Sequence, residues 1–325
     1  MTQAESRMPD KGIRNRERFA LIGAGPMGLA MAKTMVEQGI PFLGFELHSD
    51  VGGLWDIDGP RSTMYETAHL ISSKTMTEFA DFPMDEEVAE YPSHRELKTY
   101  FRRFADRFDL RKHFLFGAEV LRAEPLGGDG DGWRVRWRGP EGEAVEDVFA
   151  GVLVANGTLS EPNMPAFEGN FAGELIHSSK YRSPRQFDGK RVLVIGAGNS
   201  GCDIAVDAIH HGVSCDLSMR RGYYFVPKYV FGRPADTMGG AIKLPMWLKR
   251  RVDGLILKWF VGDPQKYGFP KPDYRLYESH PVVNSLILFH AGHGDIRIRA
   301  DVERFDGNTV HFRDGTSGEY DMVLA

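Results

Sequence analysis

One pattern of apolar and polar positions occurs twice along the chain. A short apolar run is followed by a glycine-rich turn and an amphipathic stretch, over residues 19–39 and again over residues 192–212. A buried strand of a parallel sheet gives such an uninterrupted apolar run, and the longer stretch has the spacing of a helix. The repeat therefore predicts two strand–turn–helix units, and with them an α/β fold built on parallel sheets.

Other segments differ in pattern. Ser93 and Glu96 have the spacing of a capping box, which predicts that a helix begins there. One face of this helix is apolar, which indicates core packing more than a substrate-binding surface: Leu97, Tyr100, Phe101, Phe104, Ala105 and Phe108. Residues 118–155 alternate like strands around a turn at 127–132, and residues 295–325 do so around two Asp-Gly turns.

Residues 244–261 combine apolar side chains with four cations, Lys249, Arg250, Arg251 and Lys258. A basic amphipathic helix of this kind can lie on a membrane surface. Most amphipathic helices face a protein core, so we favour a helix that packs over a site entrance or against a partner subunit. A homodimer and peripheral membrane contact are thus alternatives that the pattern leaves open.

Composition and charge narrow the class of protein. The 325 residues suffice for two domains, and 42% hydrophobic with 26% charged residues is typical of a globular protein. The net charge of −5 without a basic block argues against nucleic acid as a partner. No apolar run reaches the roughly 18 residues of a membrane span, and the tail, residues 1–17, has no signal-peptide pattern. The only cysteines, Cys202 and Cys215, fall in predicted core elements, and we interpret them as small core residues rather than as a disulfide or a metal site. Such free thiols are typical of a reducing compartment, so we expect a cytoplasmic protein.

The two glycine-rich turns have the spacing that binds dinucleotides. They read Gly23-Ala24-Gly25-Pro26-Met27-Gly28 and Gly196-Ala197-Gly198-Asn199-Ser200-Gly201. The first glycine leaves the strand, the second lets the backbone approach a pyrophosphate, and the third lets the helix pack on the sheet. The pyrophosphate is held by free N–H groups at the positive end of the helix. Two such sites predict two nucleotides and electron transfer between them.

The end of the next apolar run distinguishes the two sites. After the first turn this run ends at Glu46, whose carboxylate suits ribose hydroxyls and repels a 2′-phosphate. After the second turn it ends at Arg220 and Arg221, and a guanidinium suits a 2′-phosphate. The first site therefore predicts FAD or NAD, and the second predicts NADP.

These assignments predict a nested pair of Rossmann-like domains, with the second inserted in the first. The FAD-binding domain is expected over residues 18–165 and 282–325, and is expected to be incomplete. The NADP-binding domain is expected over residues 166–281, with a helical insertion at about 222–280.

A more specific motif lies between the two turns. Residues 171–181 read Phe-x-Gly-x-x-x-His-x-x-x-Tyr, with Phe171, Gly173, His177 and Tyr181 at the defined positions. This segment resembles the identifying motif of the flavin-containing monooxygenases, flavoproteins that use FAD and NADPH. Four further stretches are similar to that family: Gly52-Gly53-Leu54-Trp55, residues 73–84, residues 198–205 and residues 278–284. The resemblance extends over residues 19–325.

The resemblance implies a reaction. NADPH on the second turn would reduce FAD on the first, where Gly53, Leu54 and Trp55 form a flavin loop. Reduced flavin would add O2 as a C4a-hydroperoxide and pass one oxygen to a small amine, sulfide or carbonyl substrate. Tyr181 is similar to the N- and S-oxygenating branch and the plant auxin-pathway enzymes, whereas the Baeyer–Villiger branch usually has Trp. The cofactor performs the chemistry, so we interpret His177 as structural and assign no acid or base.

The chain departs from the family pattern at two places. Ile71 stands where many members have an Asn near the flavin, and Ile donates no hydrogen bond. Either His69 or Ser72 takes that role, or the protein is an NADPH reductase or oxidase that releases hydrogen peroxide. The family also continues beyond a strand like the one that ends at Ala325, so the sequence resembles a C-terminally truncated member. A non-catalytic nucleotide-binding fragment is the third interpretation.

Overall fold

The computed structural model of the chain describes residues 17–127, 132–238 and 244–325. The expected N-terminal tail therefore falls outside the described residues, apart from residue 17. Four residues of the expected hairpin turn, 128–131, also lie outside them.

The first elements of the described residues are a strand, a helix and a second strand, as the first glycine-rich repeat predicts. From the N-terminus to the middle of the chain the helices and strands are β1 (Phe19–Ile22), α1 (Pro26–Glu37), β2 (Phe42–Glu46), α2 (Lys74–Thr77), α3 (His94–Arg107), β3 (Phe114–Phe116), β4 (Glu119–Pro125), β5 (Trp133–Arg138), β6 (Ala144–Phe149), β7 (Gly151–Val154), β8 (Glu168–Phe171) and β9 (Glu174–Ile176). The rest are β10 (Arg191–Ile195), α4 (Asn199–His211), β11 (Ser214–Ser218), β12 (Phe225–Val226), β13 (Tyr229–Val230), β14 (Arg233–Pro234), α5 (Met246–Val261), β15 (Val282–Val283), α6 (Leu286–His293), β16 (Ile296–Arg299), β17 (Val302–Gly307), β18 (Thr309–Phe312), β19 (Ser317–Glu319) and β20 (Met322–Leu324).

These elements form two compact units. Of the described residues, the first unit contains those up to Met64 and those within His94–Glu161, and the second contains those within Tyr65–Ser93 and Pro162–Ala325. Each unit has one of the two strand–turn–helix repeats and a parallel sheet, which confirms the α/β class with two Rossmann-like domains.

The first unit is built on a parallel sheet with strand order β3-β2-β1-β7. All five residues of β2 are buried. The expected hairpin follows as an antiparallel sheet, β4-β5-β6. The core between these sheets consists of aliphatic and aromatic side chains: Ala20, Leu43, Phe45, Ala118, Val135 and Phe149. The aromatic face of α3 is buried, so it belongs to the packing of this unit.

The second unit is built on a parallel sheet with strand order β16-β11-β10-β20-β9. A second sheet has the strand order β19-β18-β17-β8. The expected Asp-Gly turns connect β17 to β18 and β18 to β19, and Gly307 and Gly315 in these turns have positive φ. One apolar cluster joins the two sheets through Leu193 and Val323 on one side and Phe305 and Phe312 on the other.

The expected division of the chain is wrong for residues 282–325. They belong to the second unit, because β20 lies between β10 and β9 and is wholly buried there. Residues 65–93 also belong to the second unit. An apolar strand pattern predicts burial, but it does not tell which of two parallel sheets the strand joins.

Helix α5 confirms the helix expected over residues 244–261. None of its residues is buried, and Trp259 is 87% exposed. Its apolar positions therefore face no core within the described residues. In the part of the chain that the structure describes, no helix is long and apolar enough to cross a membrane.

Candidate cofactor-binding sites

The first glycine turn joins β1 to α1. Gly23 has φ +102°, and a Cβ there would lie 2.5 Å from the carbonyl oxygen of Ala155. A Cβ at Gly28 would lie 1.9 Å from the carbonyl oxygen of Gly23, so only glycine lets the helix approach the strand. Helix α1 begins at Pro26, and no side chain caps its first turn at Gly25. The free N–H groups of this turn can therefore bind an anion.

The second turn repeats this geometry. Gly196 has φ +99°, and a Cβ at Gly201 would lie 2.0 Å from its carbonyl oxygen. Gly198 precedes α4 without a side-chain cap, and a Cβ there would meet no atom within 4 Å. A cavity of about 360 Å³ opens over this turn, with Ser178, Val194 and Ala325 among its lining residues. The space above Gly198 is thus open to a ligand.

Glu46 ends β2, as expected, and it is buried. Its carboxylate accepts hydrogen bonds from the N–H of Ala24 at 2.6 Å and from the N–H of His48 at 2.8 Å. The carboxylate is therefore fixed against the glycine turn. Because a carboxylate has about four acceptor positions, two remain for ribose hydroxyls.

The expected flavin loop packs against the same turn. Gly53, Leu54 and Trp55 form a 3₁₀ turn, and Gly52 before it has φ +121°. The N–H of Gly52 donates to the carbonyl oxygen of Ala24 at 3.1 Å. A Cβ at Gly53 would lie 2.8 Å from the Cα of Gly25, so the glycines allow the two backbones to touch.

The two arginines after β11 have different surroundings. Both are exposed. The guanidinium of Arg221 lies over the rings of Tyr223, at 5.4 Å, and Tyr274, at 5.5 Å. Arg220 makes no hydrogen bond or ion pair with any described residue, so its guanidinium is available to a phosphate.

The remaining candidate residues of the two turns differ in exposure and contacts. Met27 is exposed, and Ser200 is exposed on the first turn of α4. The side-chain oxygen of Asn199 instead accepts a hydrogen bond from the N–H of Val283 at 2.7 Å. This hydrogen bond attaches Asn199 to the 278–284 segment, and the expected contact of Asn199 with NADP stays a prediction.

The Phe171–Tyr181 motif is structural in each position. Phe171 packs on Phe305, and a Cβ at Gly173 would lie 2.5 Å from the carbonyl oxygen of Asp321. The Nδ1 of His177 accepts from the N–H of Ser179 at 3.1 Å and so caps the turn that follows. Tyr181 is fully buried.

Two carboxylates on α4 were not singled out in the sequence. Asp207 accepts a hydrogen bond from the hydroxyl of Tyr181 at 2.8 Å. Asp203 accepts from the amide of Asn284 at 2.6 Å and from the hydroxyl of Tyr65 at 3.3 Å. Burial raises the pKa of both carboxyl groups despite these hydrogen bonds. They connect the motif and the 278–284 segment to the helix of the second turn.

Lys228 is a further residue that the sequence patterns do not indicate. Its Nζ donates to the carbonyl oxygen of Leu70 at 3.2 Å and lies 4.8 Å from the centre of the Tyr91 ring. Burial lowers the pKa of Lys228, and the charge of Asp203 opposes this shift. Its partner Leu70 is 158 residues distant, so no local motif could have revealed it.

The candidates beside the expected flavin position belong to the second unit. The Nδ1 of His69 donates to the carbonyl oxygen of Thr67 at 2.8 Å, and the hydroxyl of Ser72 pairs with that of Thr77 at 2.8 Å. Ile71, between them, is 41% exposed. Cys202 and Cys215 are buried free thiols, as expected, and the described residues contain no cluster suited to a metal ion.

Comparison with known proteins identifies the class that this fold and these turns define. A family model described as flavin-binding monooxygenase-like matches residues 16–324, and the chain belongs to that family. It is 31% identical over 318 residues to a probable indole-3-pyruvate monooxygenase, YUCCA9, of Arabidopsis thaliana, covering 94% of this chain and 73% of the plant protein. It is 32% identical over 328 residues to flavin-containing monooxygenase 5 of Mus musculus, covering 95% of this chain but only 61% of the mouse protein.

Solved structures show the same fold. A cyclohexanone monooxygenase with bound ε-caprolactone superposes with a TM-score of 0.74 at 22% identity, over 94% of this chain and 72% of that one. A flavin-containing monooxygenase from Stenotrophomonas maltophilia superposes with a TM-score of 0.68 at 20% identity, over 94% of this chain and 76% of that one.

FAD and NADPH are the cofactors of this family, and both turns fit them. Each turn pairs an uncapped helix N-terminus with glycines whose Cβ would clash or would fill the ligand space. Glu46 has acceptor positions left for a ribose, and Arg220, which has no partner among the described residues, offers a cation for a 2′-phosphate. The assignment of individual residues to each cofactor stays a prediction.

Proposed function

We propose that the protein is an FAD- and NADPH-dependent monooxygenase that transfers one atom of O2 to a small amine, sulfide or carbonyl substrate. The observation that carries the proposal is the pair of uncapped glycine turns, one followed by Glu46 and the other by Arg220. In this assignment the first unit holds FAD and the second holds NADPH. Bound flavin supplies the redox chemistry, while the side chains hold and orient the two nucleotides.

Within this class, we favour a nitrogen or sulfur nucleophile as the substrate. The support is the tyrosine at position 181, which resembles the N- and S-oxygenating branch. In the structure its hydroxyl donates to Asp207 on α4.

The test is a product assay on the purified chain. NADPH oxidation and O2 uptake would be measured with an amine, a sulfide and a ketone, and the products analysed for one added oxygen. With at least one of these substrate classes, we expect most of the NADPH molecules consumed to be matched by one molecule of oxygenated product each. If NADPH reduces the flavin but the hydrogen peroxide formed equals the NADPH oxidised with every substrate class, oxygen transfer is excluded.

That second outcome defines the alternative function, an NADPH reductase or oxidase. Ile71 favours it because an aliphatic side chain stabilises no oxygen species by hydrogen bonding. In the same segment, the hydroxyl of Ser72 is already paired with Thr77. A non-catalytic nucleotide-binding fragment predicts something different, namely a colourless protein that takes up no FAD.

A further inference from the structure

A network of ion pairs involves the residues that flank the loop of Gly53, Leu54 and Trp55. Asp50 precedes this loop and Asp56 follows it. Helix α3 presents Lys98 and Arg102, one turn apart, to these carboxylates. The Nζ of Lys98 lies 2.5 Å from Asp56 Oδ1, and the Nε of Arg102 lies 2.6 Å from Asp50 Oδ2.

Asp56 is the most deeply buried member of the network, with 1% of its side chain exposed. Its carboxylate also lies 3.3 Å from the Nε2 of His48 and 3.6 Å from an Nη of Arg102. Burial acts to raise the pKa of Asp56, but the hydrogen bonds, above all that of Lys98, lower it below its ordinary value. The carboxylate is therefore charged inside the protein, and Lys98 is its nearest cation.

The loop itself depends on support from outside. Gly52 and Gly53 have φ of +121° and +57°, and glycine loses more chain entropy than other residues when it is fixed. The hydroxyl of Ser62 also donates to the carbonyl oxygen of Leu54 at 2.6 Å. The loop in turn touches the first glycine turn, through Gly52 and Ala24.

We infer that Lys98 is a positioning residue for the FAD site: it fixes Asp56, and thereby holds the Gly53–Trp55 loop against the pyrophosphate turn. This inference rests on the proposed function, which places FAD on that turn. Arg102 does not replace Lys98, because its closest partner is Asp50 and its distance to Asp56 is greater. Removing the charge of Lys98 leaves a buried carboxylate without its nearest counter-ion, so the loop is released from the turn.

The experiment compares FAD binding to flavin-free protein by fluorescence titration. Lys98→Met keeps most of the side-chain volume and removes the charge, and we expect it to raise the Kd for FAD about tenfold or more, which corresponds to about 1.4 kcal/mol. Lys98→Arg restores a cation, and we expect a Kd within about threefold of the original. The matched control is Lys112→Met, because Lys112 forms an exposed ion pair with Asp109 in the same unit.

Thermal unfolding and far-UV circular dichroism of each variant serve as the readout for correct folding, because Lys98 lies in the first unit. Binding of NADP⁺ to the second unit should not change in any variant. If Lys98→Met does not fold, Asp56→Asn tests the same contact, since the amide keeps the shape and loses the charge; we expect a Kd raised at least about threefold. Unaltered FAD affinity in a folded Lys98→Met or Asp56→Asn protein would overturn the inference and leave the proposed function intact. Failure of the unaltered protein to bind FAD would overturn both.

Discussion

Alanine substitutions at Gly198 and Gly201, the second and third glycines of the second turn, are expected to have different effects. A Cβ at Gly201 would lie 2.0 Å from the carbonyl oxygen of Gly196, whereas ordinary contacts begin near 3.4 Å. Backbone must therefore move by more than an ångström in Gly201→Ala. Gly198 has φ −73° and ψ 180°, which alanine adopts freely, and its Cβ would enter open space. Gly198→Ala should leave the fold intact.

The magnitudes follow from these distances. Overpacking of this kind costs about 1–3 kcal/mol, which lowers the Tm by about 2–12 °C for a unit of this size. Gly201→Ala should therefore unfold earlier even without a nucleotide. In Gly198→Ala the methyl group occupies the space predicted for the pyrophosphate. The loss of one charge-assisted hydrogen bond raises the Kd for NADP⁺ about tenfold or more.

Both effects are measured on the same samples. Thermal unfolding without nucleotide gives the stability, and calorimetric titration with NADP⁺ gives the affinity. If Gly201→Ala unfolds at the original temperature, the close approach of α4 to its strand is not what requires glycine. If Gly198→Ala binds NADP⁺ as tightly as the unaltered protein, the pyrophosphate does not lie over this turn.

Three further predictions test the second unit. Arg220→Ala should raise the KM for NADPH about tenfold or more with little change for NADH. Arg221→Ala should raise it less, because that guanidinium already lies over the rings of Tyr223 and Tyr274. An unchanged NADPH/NADH preference in both variants would refute the 2′-phosphate assignment. Asp203→Asn should raise the Tm at pH 8 but not near pH 4. Burial raises the pKa of the Asp203 carboxyl above 3.8 in the folded protein. The contribution of this carboxyl to folding stability is therefore present at acid pH and is lost as the pH rises through the folded pKa. Equal Tm differences at both pH values would contradict this. Tyr181→Phe removes a donor to Asp207 and should cost about 1–3 kcal/mol in urea unfolding, and an unshifted midpoint would show that the hydrogen bond contributes nothing.

Local features of the fold could be predicted from the sequence. The glycine turns depend on contacts within a few residues, as between Gly23 and Gly28, so their spacing alone reports the geometry. The same is true of α3, whose apolar spacing matches its buried face.

Features that depend on distant pairing could not be predicted. The sheet to which β20 belongs is decided by its pairing with β10, which no periodicity records. Lys98 and Asp56 are 42 positions apart, and Lys228 and Leu70 are further still, so neither pair appears as a motif. Arg220 and Arg221 look equivalent in sequence, and only the rings around Arg221 distinguish them.

The pairing of the central strands also imposes an order on synthesis. Val192 of β10 pairs with Met322 of β20, which the ribosome makes 130 residues later. At about 5–20 residues per second, this leaves one edge of β10 unpaired for roughly 7–26 s. The corresponding partner of β1 is β7, which ends at Val154, before β10 has been made. During translation there is therefore a period in which the first parallel sheet can be complete while the second still has an open apolar edge, and in that period the nascent chain is most exposed to aggregation and to capture by chaperones.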